Sequence, residues 1–357
     1  RRCIIMKRLL GILIFITITI LSIACGHPDP LTKTAVVMDT VVTLEAVDGE
    51  REQAIDEGMA YLQRIDALAS QNEGSDLEAL RLAAGNGAWV EISPEVFEML
   101  EISQEWAAKT DGAFDVTVGP VVWLWGIGTE YAKVPGEAEL AEARSHVGWQ
   151  KLELDKETTS ARLTEPGMRL HLGAIAKGYA IDGLRAIFAK HHVKNGLVSL
   201  GGSSIYAFGE SPKGKPWRIG IRHPRSEDAK EYLAVAPLSD AALSSSGDYE
   251  RYFEQDGVRY HHIFNPAIGR PATSGVLGVT VVAQGDHAGT LTDILTTTLF
   301  VMGEEKGKAF LENSGIDASA LFITQDGSTF HFTAAQSGNA PAMRDVLTDV
   351  SQTVEWK

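Results

Sequence analysis

The chain has 357 residues, 44% of them apolar, which is enough for a substantial core in one large domain or two ordinary ones, so disorder is not the starting assumption. Its formal charge is −15, from 32 Lys and Arg against 47 Asp and Glu. So acidic a balance argues against nucleic acid as a partner, because that binding rests on neutralising phosphates with Lys and Arg.

Lys7 and Arg8 precede an apolar run from Leu9 to Ile23 that ends at Ala24-Cys25. The run is shorter than the ~20 residues a spanning helix needs, and turn-prone, polar residues follow it from Gly26 to Pro30. Residues 1–24 therefore read as a secretory signal peptide, with a transmembrane anchor as the competing reading. The run LSIAC at 21–25 is similar to a bacterial lipobox, although Leu21 lies four positions before Cys25 and Ser22 occupies the place three before. Lipidation of Cys25 would make an exported, membrane-anchored protein with residues 25–35 as its tether. Cys3 leaves with the signal and Cys25 carries lipid, so no internal disulfide is expected.

From Val36 the alternation through VVMDTVVTLEAV predicts a strand, and the body of the chain is read as residues 36–345 with 346–357 as a tail. Ser93-Pro94 is an N-cap followed by proline at the first helical position. Phe97, Leu100 and Trp106 then recur at helical spacing until Asp111-Gly112, so a helix is expected over 94–109. The segment RLHLGAIAKGYAIDGLRAIFAKHHVKNGLVSLGG reads as strand, glycine turn, helix and second strand. Trp217, Ile219 and Ile221 alternate in a further strand, and Asp256-Gly257 marks a hairpin turn that leads to a break at Asn265-Pro266. A last amphipathic helix is expected over 291–302, before a terminal strand near 320–324. Strands with inserted helices fit a mixed α+β domain better than a doubly wound parallel sheet.

Several residues can carry chemistry. Asp293 and Thr297 stand four apart on the predicted helix, so two hard oxygen donors share a face, as Mg²⁺ requires; a solvated carboxylate beside a packed threonine is the plainer reading of the same spacing. The turn from Gly173 to Gly178 opens a helix where free N–H groups and Lys177 favour an anion such as a diphosphate. It matches neither a dinucleotide fingerprint nor a P-loop, and a purely structural turn explains it equally well. His261 and His262 lie on one strand, so only one can face a given site. The SSSGD run at 244–248 reads as a flexible turn and lacks the GxSxG elbow of serine hydrolases.

Taken in order, VVMDTVVTLEA, TDGAFDVTVGPVVWLWGIG, LHLGAIAKGYAIDGL, LVSLGG, WRIGIRHPR, SSSGDYERYFEQDGVRYHHIFNP and TLTDILTTTLFVMG resemble the ApbE family of FAD:protein FMN transferases. The resemblance implies a single mixed α+β domain and FAD as substrate, with Mg²⁺ as cofactor and flavin-acceptor subunits of membrane redox complexes as partners. It matches Met38, Asn72, Ala113-Phe114-Asp115, His171, Lys177 and Ile263 to FAD-contacting positions, and the carbonyl of Ala174 with Asp293 and Thr297 to metal ligands. His171 departs from the family's usual Asp in this motif, and Asp39 replaces its usual Gly. His262 is the expected proton-transfer group on grounds of its near-neutral pKa and strand placement, with Asp248 as the competing base. The implied reaction is phosphoryl transfer from FAD to a Ser or Thr hydroxyl. The alternatives are an Mg²⁺-dependent FAD pyrophosphatase and a flavin-binding lipoprotein without catalysis.

Overall fold

The computed structural model describes residues 29–228 and 230–357; the signal read over 1–24, Cys25 and the first residues of the tether lie outside the described residues. The alternation that begins near Val36 belongs to two strands rather than one. β1 (Leu31–Val37) and β2 (Thr40–Ala46) form a hairpin whose two-residue turn is Met38-Asp39. Both turn residues are left-handed, with φ 57° and 54°. A tight hairpin requires that conformation, and a short Asp side chain tolerates it where glycine is more usual. Because neither residue is glycine or asparagine, hydrophobic periodicity alone had no signal to stop at. Leu31 through Ala35 already pair with β2, so the tether ends earlier than the sequence suggested.

The remaining strands of the main sheet are β3 (Gly196–Leu200), β4 (Ser204–Phe208), β5 (Ala241–Gly247), β6 (Gly278–Ala283), β7 (Ala318–Asp326), β8 (Thr329–Ser337) and β9 (Val354–Trp356). Each strand lies beside the one before it in the chain, antiparallel in every pair except the parallel β8–β9. The fold is thus an antiparallel meander, made mixed by its last pair, with helices and small hairpins inserted between successive strands. Two expectations about the C-terminus change. The strand near 320–324 is β7 and not terminal, and residues 346–357 are no loose tail, since β9 extends the sheet and Val350, Val354 and Trp356 pack on its core.

The longest insertion, between β2 and β3, carries α1 (Arg51–Ala69), α2 (Asp76–Ala83), α3 (Pro94–Lys109), α4 (Gly119–Trp125), α5 (Glu137–Ser145) and α6 (Ala176–Lys190). α3 has its expected bounds, and the Ser93 hydroxyl accepts from the Val96 N–H as the N-cap. α1 escaped the sequence reading although Ile55, Met59, Leu62 and Ile65 bury one face at helical spacing. The stretch before Gly173 is extended but makes only a single bridge, Val118 to Arg169, rather than a strand. Of the smaller hairpins, Trp217–Arg222 pairs with Tyr232–Leu238 and Tyr252–Gln255 with Val258–His261, the latter through Asp256-Gly257 as read.

α7 (Ala288–Met302) begins a turn before the expected Leu291 and is followed by α8 (Glu304–Ser314) and the short α9 (Met343–Val346). It is not amphipathic. α6, α8, β5 and β6 enclose it, and between Leu291 and Phe300 only Leu291 and Thr297 keep partial exposure. Burying Ile294, Leu295, Leu299 and Phe300 contributes roughly 1.5–3 kcal/mol each, so the helix is anchored as firmly as the sheet. The α6–α7 crossing is close because glycine meets glycine: a Cβ on Gly178 would lie 2.3 Å from the Gly289 carbonyl oxygen, and one on Gly289 would lie 2.5 Å from that of Gly178.

Candidate active site

The hairpin turns of β1–β2 and β3–β4, the end of β5, the loop after α1, the start of α6 and the middle of α7 converge at one end of the sheet. They surround a cleft of about 440 Å³. Met38, Asn72, Ala113, Phe114, Asp115, His171, Ala174, Lys177, His262, Ile263, Asp293 and Thr297 all line it. Asp248, the competing base, does not. Its two carboxylate oxygens accept from the Arg225 guanidinium at 2.7 Å each, and its backbone N–H donates to Leu277. A carboxylate so engaged, outside the cleft, is placed to hold the structure rather than to move protons, contrary to the expectation of Asp248 as a base.

On one wall, Asp293 is buried and its Oδ2 accepts the Gly178 N–H at 3.0 Å while Oδ1 accepts the Ser204 hydroxyl at 3.0 Å. The glycine crossing makes the first bond possible, because any side chain at 178 would push α7 away. Asp182 of α6 accepts the Gly289 and Thr290 N–H groups at 2.8 and 2.9 Å, capping α7 from the neighbouring helix, while burial pushes its carboxyl up. Thr297 reaches the cleft from the next turn of α7. Its hydroxyl and the carbonyl of Ala174 make no hydrogen bond to another described residue, whereas the hydroxyl of Thr296 is spent on the Asp293 carbonyl. One carboxylate, one hydroxyl and one carbonyl, all hard oxygens with lone pairs to spare, fit Mg²⁺. Among the described residues no cluster of three or more His, Cys, Asp or Glu exists that would suit a transition metal instead.

The turn into α6 offers fewer anion donors than its sequence promised. The Ile175 and Ala176 N–H groups donate to the Leu172 carbonyl and that of Gly178 to Asp293, leaving Lys177 to supply the charge. Lys177 Nζ donates to the Ser203 hydroxyl in the β3–β4 turn at 2.6 Å, which holds the ammonium over the cleft. SSSGD is likewise not a turn: Ser244 through Gly247 belong to β5, and the Ser244 and Ser245 hydroxyls pair with those of Thr292 and Thr280.

The opposite wall carries the histidines. His261 faces inward, its Nε2–H donating to the Ala272 carbonyl at 2.9 Å and its ring standing edge-on to Phe300. The expected shared strand stops at His261, and His262, in the bend just past its end, faces the cleft. Its Nδ1–H donates to the Arg251 carbonyl at 3.2 Å, which fixes the tautomer and leaves the Nε2 lone pair free. Burial, then the charges of Arg251, His261 and Lys177, lower its pKa to about 3, so the ring is neutral and able to accept a proton. His171, in place of the family's Asp, is lowered to about 4 by burial and by Arg251 and Arg169, and lines the cleft as a neutral ring. Of the residues matched to FAD contacts by resemblance, Phe114 lines the cleft as a nearly buried ring, and Asp115 turns its carboxylate away, accepting from the Thr117 N–H and hydroxyl and from the Trp149 N–H. Burial holds its carboxyl up. Asn72 stands exposed at the mouth, between α1 and α2.

Sequence reasoning missed Arg251, Gln71, Ser203 and Ser246, which also line the cleft. They sit in loops or at strand ends, where no periodicity distinguishes a site residue from a surface one.

The comparisons with known proteins agree with this geometry. Residues 38–322 match the profile of the ApbE family. A FAD:protein FMN transferase of Haemophilus influenzae is 30% identical over 333 residues, covering 90% of this chain and 95% of its own. One from Klebsiella pneumoniae is 36% identical over 266 residues, covering 74% and 80%. Among solved structures, the ApbE protein of Thermotoga maritima superposes with a TM-score of 0.75 at 30% identity, over 86% of this chain and 97% of that one. The apo flavinyl transferase ApbE of Pseudomonas stutzeri gives 0.73 at 32% identity, over 86% and 94%. With a family profile that spans most of the chain and a relative at 30% identity that is covered almost end to end, this chain belongs to the ApbE family.

Proposed function

We propose that this chain transfers FMN from FAD to a Ser or Thr hydroxyl of an acceptor protein, with Mg²⁺ bound by Asp293, Thr297 and the Ala174 carbonyl, and with AMP as the second product. The observation that carries the reading is the convergence in one cleft of a carboxylate fixed by two hydrogen bonds, an unspent hydroxyl and carbonyl, the Lys177 ammonium and a neutral histidine with a free Nε2, in a chain whose relatives bear the name FAD:protein FMN transferase. The acceptor oxygen attacks the phosphorus of the FMN half. One P–O bond forms to the acceptor, the P–O bond to the bridging oxygen breaks, and AMP leaves. The hydroxyl proton passes to Nε2 of His262, whose ring is held in the right tautomer by the Arg251 carbonyl. Bound Mg²⁺ would supply charge neutralisation on the diphosphate. Lys177 offsets charge developing on the phosphate oxygens, and the glycine crossing keeps Asp293 in place without reorganisation. The dianionic substrate also opposes the neighbouring cations, so its arrival raises the proton affinity of His262 from its low resting value.

The reading includes export and a lipid anchor at Cys25, supported by the apolar run from Leu9 to Ile23 and the LSIAC sequence. Its acceptors are then flavin-carrying subunits of membrane redox complexes. Fractionation of cells carrying Cys25→Ser tests the anchor, which predicts loss of the protein from the membrane fraction. For the reaction, the purified chain is incubated with FAD and Mg²⁺, with and without an acceptor domain, while AMP and acceptor mass are followed. Equal AMP and flavin-modified acceptor support transfer. AMP without an acceptor mass gain identifies a pyrophosphatase, and FAD bound without either product identifies a binding protein.

A further inference from the structure

Among the described residues that line the cleft, Lys177 and Arg251 are the only Lys or Arg, and Asp39, Asp66 and Glu250 line it as well. Their circumstances differ. Lys177 is committed to Ser203, whereas the Arg251 guanidinium makes one side-chain hydrogen bond, at 3.2 Å to the Asp39 carbonyl in the β1–β2 turn. No carboxylate among the described residues pairs with it, although Arg225 and Arg259 nearby are each paired, with Asp248 at 2.7 Å and with Glu254 at 2.9 Å. Most of its five N–H donors are unspent. Its backbone is tied to the base: the Arg251 carbonyl accepts both the backbone N–H of His262 at 3.1 Å and its ring Nδ1–H. The fields of Arg251 and Lys177 both reach the His262 ring, which puts the two cations and the base in one neighbourhood.

We propose that Arg251 is a substrate-binding residue: with Lys177 it grips the diphosphate of FAD, and through its own carbonyl it keeps His262 beside the phosphate it clamps. The inference rests on the reading that FAD occupies this cleft. A guanidinium suits the role because its planar fork bonds two phosphate oxygens at once, and because it stays charged throughout the working pH range. In a chain of charge −15, a dianion entering a cleft lined by Asp39, Asp66 and Glu250 needs more than one cation to be held.

The test is calorimetric titration of the full chain, in EDTA to prevent turnover, with FAD, ADP and riboflavin as separate probes. Arg251→Gln weakens FAD and ADP about ten- to a hundredfold and leaves riboflavin, which has no phosphate, within a factor of two. Arg251→Lys recovers part of the loss, and FAD affinity in the Gln variant depends less steeply on salt. Arg251 is exposed, so the melting temperature is unchanged. Equal weakening of riboflavin and FAD would show that Arg251 merely supports the Met38-Asp39 turn, and unchanged FAD affinity and salt dependence would overturn the clamp outright. Failure of the unsubstituted chain to bind FAD or ADP would instead remove the reading beneath it.

Discussion

The two walls of the cleft are built on different principles. The α6–α7 wall is set by backbone proximity: two glycines let the helices touch, Asp182 caps one helix from the other, and Asp293 returns the favour to Gly178. The facing wall, made of the Met38-Asp39 turn, Arg251 and the bend bearing His262, is held by a few hydrogen bonds to carbonyls at an exposed edge. Under the proposed reading the difference has a use: a metal needs oxygens fixed in advance, whereas a wall that admits FAD and then a protein side chain needs room to adjust.

The largest effect should come from breaking the rigid wall at its crossing. Gly178→Ala places a methyl 2.3 Å from a backbone oxygen and 2.7 Å from Cβ of Asp293. Overpacking of this kind costs ~1–3 kcal/mol, and a lowered melting temperature with no measurable transfer is expected. Asp293→Asn is the finer cut. It keeps the shape and an acceptor for Gly178, so thermal stability should fall by no more than about 1 kcal/mol while transfer drops on the order of 100-fold or more. A variant that retained its rate would show that this wall does not bind the metal.

On the adjustable wall, His262→Ala should slow transfer ~100-fold or more with FAD binding kept, measured by single-turnover kinetics beside a binding titration. The pH dependence separates the walls again. His262 and His171 are held neutral down to about 3 and 4, whereas in the unfolded chain they protonate near 6.5. Between those values the unfolded state binds more protons, so stability is fully present above pH 6.5 and is lost as pH falls toward 4. Melting curves should show this decline, and His262→Gln should lessen it. The smallest effect on chemistry is expected for Asp248→Asn, which unpairs Arg225 and lowers the melting temperature but leaves the rate per folded molecule unchanged; a slowed rate would restore it to the mechanism.

Which residues meet at the site was largely legible, because six of the seven stretches resembling the family carry a lining residue, WRIGIRHPR being the exception, and all but Asp248 among the expected catalytic, FAD-contacting and metal-binding residues reach the cleft. Asp248 misled because a carboxylate next to a serine run looks reactive until its partner is known, and Arg225 lies 23 residues away in sequence. The α6–α7 contact was hidden for a related reason: Gly178 reads as a turn residue and Gly289 falls before the expected helix start at Leu291, and only the packed structure shows that each is empty for the other's sake. α7 was misjudged as amphipathic since Asp293 and the threonines break its apolar pattern, yet Ser244, Ser204 and Gly178 give those polar groups buried partners. Arg251 carried no signal at all, being one arginine among many until its lack of an acidic partner was seen.

If both walls act on one FAD molecule to modify a protein hydroxyl, the intact mass of an acceptor domain after one turnover with FAD and Mg²⁺ separates the unsubstituted chain from Asp293→Asn and His262→Ala. Addition of one FMN phosphoryl group is expected from the first and little or none from the other two. Acceptor modified equally by all three, or left unmodified by the unsubstituted chain while AMP accumulates, would contradict it.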